Sequence, residues 1–147
     1  MSPRPSRPLA MRAARTLLYR SRIARTRLRR AISAIGAAVN DHPIFILGMQ
    51  KAGTSAVAHL LGERTASTTT VDFFDEVYDP VYPRLVRGEI STREYVLRNR
   101  LDFSRDIIKE PNLTLLYRQL LEHFPAARFV FVVRDPRDNI RSLLNHV

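Results

Sequence analysis

Cysteine is absent from all 147 residues. That excludes a disulfide framework, a thiolate metal site and a cysteine nucleophile. Metal-ligand spacing is missing as well, because His42, His59, His123 and His146 are scattered along the chain. No metal is expected. No apolar run approaches the ~18–20 residues that a membrane span requires. Acid is missing from one end: residues 1–40 hold ten arginines and no carboxylate, Asp41 being the first. The rest of the chain holds 14 basic and 14 acidic groups, so the net charge of +10 belongs to the N-terminal arm alone. A domain that reads nucleic acid should carry a basic footprint on its folded surface. This one is neutral, and no specific nucleic-acid partner is expected.

With 45% apolar residues the chain can bury one domain-sized core. The expected division is a basic arm, residues 1–40, followed by a domain, residues 41–147. "MSPRPSRPL" opens the arm and is rich in proline and arginine, a composition that favours disorder. Residues 11–39 then turn helical, with Leu28, Ile32, Ile35 and Val39 on one face and arginines around them. A basic amphipathic helix of this kind can lie on an anionic membrane surface or meet a partner. Alternatively it packs its stripe on the domain and solvates its arginines. "LRRAISAIGAAV" is similar to a twin-arginine signal, but its short apolar stretch runs almost directly into a strand with no clear cleavage site. The expected location is cytoplasmic, with membrane association through the arm as the variant.

Within the domain, "PIFILG" has the uninterrupted apolar character of a strand buried in a parallel sheet. Thr54 to Leu61 reads as a helix with Val57, Leu60 and Leu61 inward and Gly62 at its end. Threonine-rich "TASTTT" leads into "VDFFDEVYDPVYP", which is aromatic, acidic and ended by prolines. Ser91 and Glu94 form a capping box for a helix through about Phe103. "DIIK" is a second strand, residues 113–123 a helix and "RFVFVV" a third strand. Asp135 and Pro136 cap and open a final helix that buries Ile140, Leu143, Leu144 and Val147. Strands alternating with helices predict an α/β fold: a parallel, P-loop-like sheet with flanking helices and right-handed crossovers, preceded by a basic amphipathic helix.

Two stretches carry candidate chemistry. In "GMQKAGTS", Gly48 and Gly53 have the GxxxxGK[ST] spacing and Ser55 closes it, but Thr54 follows the second glycine and Lys51 lies two residues before it. Strand, glycine loop and helix together make an anion site, because the first N–H groups of a helix have no intrahelical acceptor. In "RDPRDNIRS", Arg134 ends a strand, where ligands bind in open α/β sheets. Ser142, eight residues later, falls on the exposed side of the helix, so the two can share a phosphate.

"GMQKAGTS" resembles the 5′-phosphosulfate loop of sulfotransferases that use 3′-phosphoadenosine 5′-phosphosulfate (PAPS), and "RDPRDNIRS" resembles their 3′-phosphate motif. "VDFFD" and "IIKEP" are similar to the "VHFFD" and "KTP" segments of the heparan-sulfate type and its bacterial relatives. The four stretches occur in the family's order. The resemblance implies a metal-free transfer of a sulfuryl group from PAPS to an acceptor hydroxyl or amine, carbohydrate being the acceptor class it suggests. It further implies that Lys51 faces the leaving oxygen, that Ala52, Gly53, Thr54 and Ser55 hold the 5′-phosphate, and that Arg134 and Ser142 hold the 3′-phosphate. Thr70 stands where the heparan-sulfate type has its basic glutamate and cannot replace it. Asp72 is the first candidate base and Glu110 the second, while Lys109 is a candidate for the acceptor site. The family's domain runs past the second phosphate motif, so the chain is expected to be its N-terminal part, truncated at the C-terminus. The competing expectation is an inactive nucleotide-binding remnant with a basic interaction arm. A P-loop nucleoside triphosphatase is disfavoured, since no lysine follows Gly53 and "FVFVV" ends in Arg134 rather than an aspartate.

Overall fold

In the computed structural model, which describes residues 9–145 and side chains from Tyr19 onward, strand β1 (Ile44–Gly48) is apolar because both of its faces are covered. It lies inside a four-stranded, wholly parallel sheet of order β2-β3-β1-β4. Strand β2 is Thr69–Val71, β3 is Ile107–Lys109 and β4 is Arg128–Val132. The register sets Ile46 beside Lys109 on one side and Gly48 beside Val132 on the other. Thus β3 ends two residues before β1 does. Helix α2 (Thr54–Thr65) links β1 to β2, and helix α7 (Tyr117–His123) precedes β4. Short helices α3 (Phe74–Tyr78), α4 (Tyr82–Val86), α5 (Thr92–Arg98) and α6 (Arg100–Phe103) fill the β2–β3 connection, and α8 (Pro136–Leu144) follows β4.

Alternation along β1 separates two cores. Phe45 and Leu47 point into the larger one, with Phe73, Tyr95, Phe103, Ile108, Leu113 and Leu120, all buried. Its centre is aromatic. Phe103 meets Phe73 edge-on at 5.2 Å and stacks on Phe124 at 5.7 Å, while Phe45 stacks on Phe129 at 5.3 Å. Ile46, Ala58 and Ile107 form the smaller core beneath α2. Burial of large side chains on this scale, about 1.5–3 kcal/mol each, is what holds the parallel sheet together.

The α/β class and the parallel sheet agree with the sequence reading, and several element boundaries do not. Helix α2 passes through Gly62 and ends at Ala66, which takes the left-handed conformation (φ 53°). Gly62 instead lets the next turn approach, since a Cβ there would lie 2.4 Å from Thr69 Oγ1. Leu60 faces solvent rather than the core. "TASTTT", to which the sequence assigns no element, leads into edge strand β2, tied to β3 by the Asp106 carboxylate, which accepts from Thr68 N–H and Oγ1. The helix expected through Phe103 is broken at Asn99 and resumes as α6 to Phe103, and Ser91 Oγ accepts the Glu94 N–H as expected. Residues 111–116 form a 3₁₀ helix before α7. Of the face expected to be buried on α8, Ile140 and Leu144 are exposed and Asn139 is buried in their place. The reason is that β4 is an edge strand, and Phe131 within it and Val133 just after it are exposed too. The expectations for residues 1–8 and for Val147 fall outside the described residues.

The chain divides into two compact units, Met1–Gly36 and Ala37–Val147. The first contains helix α1 (Leu9–Ile35). Val39, expected on the apolar stripe of that helix, lies beyond its end and packs against the larger core of the second unit.

One backbone position is sterically closed. A Cβ on Gly48 (φ 154°) would lie 2.5 Å from the Val132 carbonyl oxygen and 2.9 Å from Thr54 Cγ2. The carbonyl belongs to the paired strand and has no room to yield. Gly48→Ala is therefore expected to cost about 1–3 kcal/mol, the range for overpacking a tight site. It should appear as a lower urea midpoint at unchanged slope.

Candidate functional site

The loop between β1 and α2 is built from the end of the sheet outward. Beyond Ile46 the β3 side of β1 has no strand partner, and Thr114 of the 3₁₀ helix takes that place. The Gly48 N–H donates to Thr114 Oγ1 (2.9 Å), and the same hydroxyl donates to the Gly48 carbonyl (3.0 Å). Ala52 N–H then closes a turn onto the Met49 carbonyl, and Lys51 and Gly53 adopt positive φ values of 66° and 101°. The first helical bond runs from Val57 N–H to the Gly53 carbonyl. No side chain caps this end of α2. Its leading amides are thus directed outward, the arrangement that accepts an anion.

A cavity of about 450 Å³ opens there, lined by Gln50, Lys51, Gly53, Thr54, Ser55, Asp72, Lys109 and Pro111. Six of the residues singled out from sequence meet in it: Lys51, Gly53, Thr54, Ser55, Asp72 and Lys109. Lys51 and Lys109 are the only lysines in a chain whose other basic residues are all arginine. Lys109 ends β3 and is almost wholly buried, and its Nζ donates to Asp72 Oδ1 at 2.5 Å. Asp72 takes a left-handed conformation (φ 59°), and its own N–H bonds the Lys109 carbonyl at 2.9 Å. Its side chain is half exposed, on the open side of the pair.

Four other candidates are placed differently. Arg134 follows β4 and donates from Nη1 to the Lys51 carbonyl (3.0 Å), tying the loop to the next strand. With Ala52 it lines a neighbouring apolar cavity of about 420 Å³, beside Met49, Phe131 and Ile140. Ser142 lines neither cavity and is partly exposed on α8. Glu110 turns inward: Oε2 accepts the Phe73 N–H (2.9 Å), and Oε1 accepts Asn112 N–H (3.1 Å) and Nδ2 (2.8 Å). It caps the 3₁₀ helix and faces away from the cavity. Burial raises its carboxyl above the ordinary range, against the pull of those amides. Thr70 likewise donates to Asp102 rather than into the site. The residue that sequence reading missed is Thr114. Its signal was a lone hydroxyl in the apolar run "LTLL", a pattern that also fits an ordinary helix.

No family model matches the chain, and no curated protein or solved structure matches it. The functional reading therefore rests on its own residues.

Two measurements follow from the carboxylates. Glu110→Ala orphans buried amides at Phe73 and Asn112 and should destabilise the fold by about 2–4 kcal/mol in chemical denaturation. It should leave the cavity at the β1–α2 loop unaltered, since Glu110 is not among its lining residues. The second concerns pH. Glu76 and Glu110 both titrate above the ordinary carboxylate value, chiefly through burial. Each binds its proton more readily folded than unfolded, so stability rises as pH falls from the raised value towards the ordinary glutamate value of 4.5. Asp106, held low by the Thr68 hydroxyl and amide, acts oppositely, and its contribution is lost as pH falls below 3.8 through its folded value. Denaturant titrations should place maximum stability between these windows, below neutral pH.

Proposed function

We propose that residues 41–147 form the PAPS-binding part of a sulfotransferase with a P-loop-like fold, which transfers a sulfuryl group to an acceptor hydroxyl or amine. The single observation that carries this reading is the cavity at the end of β1. It gathers the open amides of α2, two adjacent hydroxyls, both lysines of the chain and one half-exposed carboxylate. When bound, PAPS supplies the sulfuryl group and leaves as 3′,5′-adenosine bisphosphate. The Thr54 and Ser55 amides and hydroxyls hold the 5′-phosphate, with Gly53 giving close backbone approach. Lys51 neutralises the charge released on the 5′-phosphate oxygen, a contribution worth about 2.7–4 kcal/mol for a single such donor. Arg134 fixes Lys51 through its carbonyl, and on this proposal its remaining donors, with Ser142, are assigned to the 3′-phosphate. Asp72 takes the acceptor's proton, and Lys109 orients that carboxylate. A carbohydrate acceptor is the class suggested by the resemblance of "VDFFD" and "IIKEP".

A second reading, nucleotide binding without transfer, is favoured by the state of the two candidate bases. Glu110 is fully engaged by amides, and Asp72 is already paired to Lys109. Transfer of labelled sulfate to an acceptor separates the two. Calorimetric titration with 3′,5′-adenosine bisphosphate and with ATP–magnesium tests what they share. The bisphosphate should bind at least about tenfold more tightly than ATP–magnesium. Lys51→Ala or Arg134→Ala should weaken it by roughly 10–100-fold, the loss of a charge-assisted hydrogen bond. A folded chain that shows no such preference overturns the proposal.

A further inference from the structure

Helix α1 takes no part in the site described above. Its 27 residues carry eight arginines and no acid. Leu28, Ile32 and Ile35, at helical spacing i, i+4 and i+7, are 63, 59 and 76% exposed. Ala24 and Ala31 extend the same stripe and are exposed. Arg20 and Arg27 border it on one side, Arg25 and Arg29 on the other, and these four are exposed as well. Arg25 and Arg29 are also like charges four residues apart, a spacing that disfavours a helix in water unless a counter-charge is near.

We propose that α1 is a docking helix for an anionic lipid surface, lying in the headgroup plane with Leu28, Ile32 and Ile35 inserted and its arginines on lipid phosphates. Charge complementarity names the occupant's sign, and the apolar stripe names its second property. A nucleic-acid backbone answers the arginines but offers nothing to a row of large apolar side chains. A bilayer interface answers both. Arginine suits the borders of the stripe, because its aliphatic stem covers apolar surface while the planar guanidinium forks onto phosphate oxygens. Among the described residues no helix is long and apolar enough to cross a membrane. The helix would therefore lie along the surface and not span it. At 1.5 Å per residue it extends about 40 Å, enough for many headgroup contacts along one face.

The 147-residue chain is co-sedimented with phosphatidylglycerol–phosphatidylcholine vesicles and with pure phosphatidylcholine vesicles, and titrated against a short RNA duplex. Partition onto the anionic vesicles should be at least about tenfold stronger and should fall steeply with added salt. Leu28→Ser/Ile32→Ser, which leaves the charge unchanged, should lower it by about tenfold or more through lost apolar burial. Arg25→Gln/Arg29→Gln should weaken it independently of the stripe. Circular dichroism should show the second unit folded in both variants, since every altered position lies on α1. Equal binding to both lipids, or no vesicle binding, overturns the proposal. So does duplex binding that the Leu28→Ser/Ile32→Ser chain retains in full while vesicles remain unbound.

Discussion

A parallel sheet that offers a ligand site at its carboxyl end must satisfy its own backbone there without closing the site. In this chain the difficulty falls on Gly48. Strand β3 has already ended opposite Ile46, so the last residue of β1 has a strand partner on one side only. A single hydroxyl, Thr114 Oγ1, answers both its N–H and its carbonyl. An unanswered buried amide or carbonyl costs about 1–3 kcal/mol, so this contact decides whether the strand end is ordered. Everything after it inherits that order. Val132 and Thr54 close around Gly48, the chain turns through the left-handed Lys51 and Gly53, and the amides of α2 emerge uncapped. Arg134 then grips the loop from the next strand by the Lys51 carbonyl.

The second constraint is a buried ammonium. Lys109 sits at the end of β3 with almost no solvent, where a charge without a partner would be expensive. Asp72 supplies the partner by leaving β2 in a left-handed conformation, a backbone state that aspartate tolerates better than most residues. That turn puts a carboxylate on the wall of the cavity that the β1–α2 loop also lines. The use of lysine here is itself informative. Apart from Lys51, arginine is used in place of lysine throughout the rest of the chain, and its rigid fork suits two-point contacts. A compact ammonium on a flexible stem instead meets a single carboxylate oxygen, as Lys109 meets Asp72 Oδ1.

The fold class could be read from the chain because its evidence is local. "PIFILG", "DIIK" and "RFVFVV" are apolar runs, and Asp135 does accept the Arg137 and Asp138 amides as a cap. Strand β2 could not be read, because three threonine-rich residues at an edge gain their strand character from Asp106, 38 positions away. Gly62 was misread for the same reason: its small size serves Thr69, not a helix end. In the site, the loop and the cavity-lining Asp72 and Lys109 were visible as residue types in order. Glu110 was not separable from a base by sequence, since an acid after a strand looks alike whether it faces solvent or caps a buried turn. Ile140 and Leu144 followed helical periodicity, but periodicity says which face is apolar and not whether anything covers it.

Charge is divided between the two units in a way that separates their electrostatics. The residues after the arm balance, so no broad field draws an anion to the loop. Whatever attraction the cavity has arises from the α2 amides, Lys51 and Lys109, offset by Asp72, all within one cavity and partly shielded from solvent. Such short-range contacts are weakly affected by physiological salt, whose screening length is about 8 Å. The arm is the opposite case: ten arginines with no acid among them act together over a distance and are screened early. Moderate salt should therefore weaken any attraction of the arm to an anionic surface while leaving an anion in the loop largely undisturbed. The two halves of the chain are thus built for different ranges of the same force.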